Sequence, residues 1–124
     1  MYKLYTTYVS NMKKIPQGIM KAIIMRFPLA IREDPYTKIV TQLSPKSDIL
    51  LKYKKDKDWE AYTKSFNRQM DTDPETIEYL NQLQDCLDNN NDVCLICCEK
   101  DYLHCHRSLI GERFKFLGYE WQEL

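Results

Sequence analysis

An unbroken apolar run, VCLICC (Val93–Cys98), constrains the fold of this chain more than any other feature. It follows the polar turn DNNND and is too short for a helix, so it is typical of a strand that is buried on both faces. Such strands occur mainly in parallel sheets whose two faces are covered by helices. With 124 residues the chain has the size of one ordinary domain. We therefore predict a single α/β domain over residues 1–124.

Three more strands and two connections are predicted around this run. Leu4–Val9 (LYTTYV) alternates aromatic and β-branched residues, and Lys21–Pro28 (KAIIMRFP) is a short apolar run that ends at a proline. The final residues 119–124 (YEWQEL) form a last short strand. The residues between the first two strands, 10–18, are expected to form a turn or loop. Residues 29–46 are expected to form a long irregular connection.

Helical periodicity and capping signals predict four helices. Ser47 is the expected N-cap of the first helix, which ends at the KKDKD sequence, and the buried face of the second helix is marked by Trp59, Tyr62, Phe66 and Met70. Asp73 is the expected N-cap of the third helix, which runs to about Leu87. The fourth helix spans His106–Leu117 and has Gly118 as its C-cap; its face toward the sheet consists of Leu109, Ile110, Arg113, Phe114 and Leu117. Strands that alternate with helices predict a three-layer sandwich with a mostly parallel, Rossmann-like sheet.

Charge and cysteine content narrow the functional classes. The 18 basic and 18 acidic side chains balance, which argues against extended contact with nucleic acid. No apolar run approaches the roughly 20 residues that span a bilayer, and we expect neither a signal peptide nor a membrane partner. Five cysteines without a scaffold-like spacing are typical of reduced thiols, so we expect a cytoplasmic protein. The sequence contains no glycine-rich phosphate loop.

The segment Leu95–Ile110 (LICCEKDYLHCHRSLI) contains three of the five cysteines and both histidines. Its order is buried strand, loop and helix, and in open α/β sheets ligands bind beyond the carboxyl ends of the strands. Cys105, His106 and Arg107 would lie at the N-terminus of the helix, where backbone N–H groups and the helix dipole favour an anion.

The composition of this segment fits four interpretations. Core packing suffices for Cys94 and Cys86. A zinc site would need better-placed ligands than Cys97, Cys98, His104, Cys105 and His106 offer, and we predict no metal and no cofactor. Cys105 could instead be a thiolate nucleophile with His106 as base and Glu99 as orienting acid. Finally, Arg107 could bind a phosphate or carboxylate, with its neighbours in supporting roles.

The segment resembles the signature of the uncharacterised "domain of unknown function 488" (DUF488) family. The matching residues are Cys97, Glu99, Lys100, Cys105, His106 and Arg107, with Cys98 in place of the usual aromatic residue. The resemblance extends to the first strand, to the second strand with Arg26, and to Tyr36 and Pro45, whereas Val40–Gln42 departs from the pattern. It implies a Rossmann-like α/β sandwich without an established reaction, whose members are thought to be enzymes or nucleotide-type binders.

Together these observations predict a site at the carboxyl edge of the sheet, in which Glu99 pairs with Arg26 or Arg107. We expect it to bind an anionic, nucleotide-like small molecule, as a sensor or sequestering protein, with a homo-oligomer possible. The alternatives are a cysteine-dependent enzyme acting on a nucleotide or nucleoside derivative and a nucleic-acid-associated module. The predicted ligand-binding residues are Thr6, Thr7, Tyr8, Arg26, Tyr36, Cys97, Glu99, Tyr102, Cys105, His106 and Arg107.

Overall fold

The structure is a computed structural model that describes residues 2–27 and 31–124. Its strands are β1 (Leu4–Tyr8), β2 (Met20–Ile23), β3 (Thr37–Ile39), β4 (Val93–Cys97) and β5 (Trp121–Glu123). They form one sheet in the order β3-β2-β4-β1-β5, and every neighbouring pair is parallel.

Helices flank this sheet, so the predicted Rossmann-like α/β fold is confirmed. They are α1 (Ser47–Asp56), α2 (Trp59–Thr72), α3 (Pro74–Asp88) and α4 (His106–Phe116), and short 3₁₀ helices cover Val9–Lys14, Thr41–Leu43 and Tyr102–His104. Within the described ranges, no helix is both long enough and apolar enough to cross a membrane.

The central strand β4 explains why the chain folds this way. All five of its residues are buried, because β1 and β2 pair with its two edges and helices cover its faces. Leu95 and Ile96 are completely inaccessible and join a core to which α2 contributes Phe66 and α4 contributes Phe114. Burying these apolar side chains provides the main stabilisation of the fold.

The connections contain more regular structure than the sequence indicated. The expected irregular segment contains β3, which hydrogen-bonds to β2 at the edge of the sheet. A strand of three residues is too short to produce a recognisable alternation. The expected loop after β1 begins as the 3₁₀ helix Val9–Lys14. The predicted end of the second strand, Pro28, lies outside the described residues.

Details at the helix ends and at the end of β4 also differ from expectation. Ser47 is the first residue of α1, and its N-cap is Lys46, which has no side-chain capping bond. Leu117 does not belong to the buried face of α4 and is 54% exposed, because the helix ends at Phe116 and Leu117 is its C-cap. Cys98 is exposed just beyond β4. By contrast, Asp73 caps α3 and Gly118 has a positive φ after α4, as predicted.

Candidate functional site: a buried cysteine and histidine cluster

Cys97, Cys105 and His106 converge at the carboxyl edge of the sheet. Cys97 is the last residue of β4, Cys105 is the N-cap of α4, and His106 is the first residue of that helix. Their two Sγ atoms and one imidazole nitrogen lie within 4.8 Å of one another. All three residues are buried, with at most 7% of any of them exposed. We refer to these three residues as the thiol cluster.

The imidazole of His106 is held in a defined orientation. Its Nε2 lies 2.5 Å from the carbonyl oxygen of Ile24, the residue that follows β2. A carbonyl oxygen only accepts, so Nε2 carries a proton and Nδ1 is free to accept one in the neutral ring. Nδ1 lies 3.8 Å from Sγ of Cys105, and Nε2 lies 3.5 Å from Sγ of Cys97. Phe66 packs edge-to-face against the imidazole with the ring centroids 5.7 Å apart.

The two buried thiols have opposite electrostatic character. A hydrogen bond from Cys97 lowers the pKa of Cys105 well below its usual value, and the charge and hydrogen bond of His106 and the N–H of Arg107 act in the same direction. Burial raises the pKa of Cys97, which donates its S–H to Cys105. The pair therefore favours a Cys105 thiolate beside a Cys97 thiol.

The thiol cluster also has the composition of a metal-binding donor set. Two sulfurs and one histidine nitrogen occur together in catalytic zinc sites that keep a fourth position open. The hydrogen bond from Nε2 of His106 to Ile24 resembles the outer hydrogen bond that orients many metal-binding histidines. In the described part of the chain, no fourth cysteine, histidine or carboxylate joins these three residues. The thiol cluster therefore lacks the four protein ligands that a structural zinc site requires.

Arg107 lies beside the thiol cluster and is held by four hydrogen bonds within the protein. Its guanidinium is inaccessible and donates to both carboxylate oxygens of Glu123, at 3.0 and 2.9 Å, and to the carbonyl oxygens of Glu99 and Lys100. Although burial opposes it, the bonds to Glu123 raise the pKa of Arg107. The ring of Tyr8 lies 5.9 Å from the guanidinium carbon. The guanidinium thus fixes the loop between β4 and α4, and it is inaccessible from solvent.

The side chain of Glu99 has neither of the roles expected from the sequence. It is exposed, and only its backbone carbonyl contacts Arg107. The carboxylate that pairs with Arg107 belongs to Glu123, and the group that orients His106 is the carbonyl of Ile24. An exposed carboxylate at the end of a strand is free to turn to solvent, whereas Glu123 is held beside Arg107 by the pairing of β5 with β1.

Three polar side chains predicted on the first two strands have partners elsewhere in the fold. Thr6 donates to Glu123, and Thr7 accepts from Asn11. Arg26 donates to the carbonyl oxygens of Ser44 and Pro45, and it lines a polar cavity of about 280 Å³ that contains none of the thiol cluster.

The two remaining tyrosines predicted at the site have different positions. Tyr36 precedes β3 and therefore lies at the amino edge of the sheet, opposite to the cluster. The carbonyl oxygen of Tyr102 accepts a hydrogen bond from the backbone N–H of Cys105 at 3.3 Å, whereas its ring packs edge-to-face against Trp121 with a centroid distance of 6.3 Å.

Four aromatic side chains near the thiol cluster are also candidates for the site. Trp59 stacks on Tyr62 at 4.8 Å, Tyr53 lies 4.9 Å from Tyr62, and His104 lies 5.4 Å from Trp59. Burial, followed by the nearby thiols of Cys105 and Cys97, raises the pKa of Tyr62. The helical spacing of Trp59 and Tyr62 indicated a core face, and nothing in the sequence distinguished a core face from a face beside a site. We call these four residues the aromatic wall.

Comparison with known proteins agrees with the resemblance seen in the signature residues. No curated protein and no solved structure matches the chain significantly. A family model described as the active DUF488-N3 subclade matches residues 5–116, a range that includes all of β1 except Leu4, β2 to β4 and all of the thiol cluster. With most of its length covered by that match, the chain belongs to the DUF488 family.

Proposed function

We propose that this protein is an enzyme that uses Cys105 as a covalent nucleophile and His106 as its general base. The observation that carries the proposal is the position of Cys105. Its sulfur lies at the N-terminus of α4, within 3.8 Å of an imidazole nitrogen that is free to accept a proton. A thiolate at a helix N-terminus beside a histidine is the usual environment of a catalytic cysteine.

The proposed chemistry proceeds in two balanced steps. Nδ1 of His106 holds the proton that Cys105 has given up, and Sγ of the Cys105 thiolate attacks an electrophilic carbon of the substrate while the bond to the leaving group breaks. The leaving group departs with the proton that His106 holds. Water, deprotonated by Nδ1, then cleaves the bond between sulfur and carbon and regenerates the Cys105 thiolate, with the proton again on His106. The carbonyl of Ile24 stabilises the imidazolium that forms in each step.

A binding protein without catalysis is less well supported. That interpretation relied on Arg26 and Arg107 as anion ligands, but both guanidinium groups donate to oxygen atoms of the protein. A nucleic-acid-associated role likewise has no support from a chain with a formal net charge of zero.

As substrate we propose a nucleoside or nucleotide derivative. The support is the aromatic wall, since aromatic side chains stack on bases whatever their identity. His104, a member of the wall, directly precedes Cys105, so a base that stacks on Trp59 would lie near the nucleophile.

The experiment is a consumption assay on a panel of nucleosides and nucleotides, analysed by liquid chromatography and mass spectrometry. We expect turnover by the wild type and by Cys98→Ser, a control that changes an exposed cysteine outside the cluster. Cys105→Ser should lower kcat by about 10³-fold or more, the scale of losing a nucleophile. Product formation by Cys105→Ser at the wild-type rate would refute the nucleophile.

A second variant separates catalysis from binding. Trp59→Ala should raise KM for the nucleoside substrate. The rate at which Cys105 reacts with iodoacetamide should stay unchanged, since the proposed mechanism gives the indole no part in activating the thiolate. Equal KM values for Trp59→Ala and the wild type would exclude the aromatic wall as a binding surface.

A further inference from the structure

The thiol cluster contains one buried cysteine that the proposed mechanism does not consume. Cys97 is 1% exposed, lies at the end of the most buried strand, and has its sulfur within 4.8 Å of that of Cys105. A nucleophile with a histidine base needs no second thiol, so the pairing of two thiols calls for its own explanation.

We propose that Cys97 is the resolving partner of Cys105, and that small hydroperoxides convert the two thiols into a reversible disulfide. The inference uses no substrate of the proposed enzyme and stands independently of it.

The geometry of the backbone favours this pair over the other cysteines. Successive side chains of a strand point to opposite faces, so Cys98 is directed away from Cys97 and is exposed to solvent. Cys94, three residues before Cys97, also points to the opposite face. Burial raises the pKa of Cys94 to about 12, which keeps it an unreactive thiol. Cys97 and Cys105 are therefore the two sulfurs that face each other, across the short loop from β4 to α4.

The electronic arrangement suits a sequential oxidation. Cys105 has the thiolate character that reaction with a hydroperoxide requires, and the Cys97 thiol already donates its proton toward that sulfur. A disulfide has an S–S bond of about 2.05 Å, so the two sulfurs, now within 4.8 Å, must approach each other for the bond to form.

The reaction balances in two steps. Sγ of Cys105 attacks one oxygen of the hydroperoxide, the O–O bond breaks, and the second oxygen leaves as an alcohol or water after taking a proton. Cys105 is now a sulfenic acid. Sγ of Cys97 then loses its proton and attacks Sγ of Cys105; the S–S bond forms, the S–O bond breaks, and the hydroxide leaves with that proton as water. The two thiols together give two electrons to the peroxide.

The sequence makes the product easy to identify. Trypsin cleaves after Lys100, between the two cysteines, so the disulfide links the peptide Gln69–Lys100 to the peptide Asp101–Arg107. Because Gln69–Lys100 also contains Cys86, Cys94 and Cys98, fragmentation of the linked peptides is used to locate the bond at Cys97. Reduced full-length protein is treated with a small excess of hydrogen peroxide, quenched, alkylated and digested. We expect the linked peptides as the main product and full reversal by dithiothreitol. Before alkylation, the intact mass of the oxidised protein should be lower than that of the reduced protein by about 2 Da.

Variants test each thiol separately. Cys97→Ser should stop at a Cys105 sulfenic acid that dimedone traps, and should proceed to the irreversible sulfinic acid as peroxide increases. Cys97→Ala is the second variant, because it places no hydroxyl group in the buried strand. Circular dichroism checks that both variants are folded. Cys105→Ser should not react at this site, and Cys98→Ser should behave as the wild type.

Three results would overturn the inference. One is a wild type that accumulates the sulfenic acid without forming the linked peptides. Another is a disulfide between Cys105 and Cys98 that Cys98→Ser removes. The third is protein that contains one equivalent of zinc and whose two thiols react with peroxide only after a chelator has been added. If the consumption assay showed that Cys105 is not a catalytic nucleophile, the masses expected from the peroxide treatment would stay the same. The two proposals can therefore be refuted independently.

Discussion

At the scale of single residues, the clearest property of this protein is the asymmetry between two buried cysteines. Cys97 and Cys105 have similar exposure, 1% and 4%, yet their pKa values shift in opposite directions. The difference arises from their partners, because Cys105 receives hydrogen bonds from Cys97, His106 and the N–H of Arg107. Burial by itself would raise both values.

The first prediction concerns the charge of Cys105. Ultraviolet titration of the thiolate, as the difference between wild type and Cys105→Ser, should show a thiolate at pH values well below about 8.5, the pKa of a free cysteine. Because the folded-state pKa is lowered, this group stabilises the fold above the unfolded-state pKa, and the contribution is lost as the pH falls through the folded-state pKa. A thiolate signal that rises only near the free value would contradict the asymmetry.

The second prediction concerns the buried ion pair. Arg107 is inaccessible, so Glu123→Ala would leave its charge without a partner and should lower the free energy of unfolding by about 3–5 kcal/mol. As the matched control, Asp71→Ala breaks the exposed pair with Arg113 and should change it by less than about 1 kcal/mol. Urea denaturation measures both, and equal effects of the two variants would show that Glu123 does not neutralise Arg107.

At the scale of elements, the start of α3 shows how a capping residue is shared with a neighbouring element. Asp73 accepts from the N–H and hydroxyl of Thr76 and from Nζ of Lys46, which precedes α1. The hydrogen bond from Lys46 and then those from Thr76 lower the pKa of Asp73 to about 2. One carboxylate therefore fixes both the beginning of α3 and the approach of the segment before α1.

The third prediction separates capping from charge at Asp73. Asp73→Ala should lower the free energy of unfolding by about 1 kcal/mol, whereas Asp73→Asn keeps a capping oxygen and should cost less at neutral pH. Because the pKa is lowered, the ionic contribution is present above about pH 4 and is lost as the pH falls toward 2. Stability measured against pH should thus converge for wild type and Asp73→Asn in acid. A constant difference down to pH 2 would exclude the ionic contribution.

At the scale of the whole molecule, the last strand, β5, contacts the elements that lie beside the thiol cluster. β5 pairs with β1 at the edge of the sheet, and α4 packs across it. Trp121 donates from its indole to Thr6, and Glu123 holds Arg107. The residues that arrange the thiol cluster therefore depend on the final residues of the chain.

The fourth prediction tests this packing at Gly111. A Cβ at this position of α4 would lie 2.3 Å from the indole of Trp121, so helix and strand must separate to admit it. Gly111→Ala should destabilise the protein by about 1–3 kcal/mol, although alanine favours helices. Glu112→Ala, on the exposed side of α4, is the control. Thermal unfolding measures both, and a higher melting temperature for Gly111→Ala would mean that α4 is not tightly packed on β5.

Local patterns in the sequence determined much of this molecule. The buried run at β4, the helical period around Phe66, the cap at Asp73 and the glycine at Gly118 each depend on a few neighbouring residues. Each is present as predicted, except that the buried run ends at Cys97 instead of Cys98. The signature around Cys105 and His106 likewise identified the family and the helix N-terminus where these two residues lie.

Tertiary structure alone decided which side chains meet. The order of the strands brings Ile24 to His106 and Glu123 to Arg107, across long separations in sequence, and it turns Arg26 and Tyr36 away from the cluster. Local patterns specify which face of an element is apolar, but the pairing of strands decides which elements become neighbours. For that reason the sequence determined the chemical groups of the site, and only the fold decided that Arg107 is a structural residue while Cys97 and Cys105 face each other.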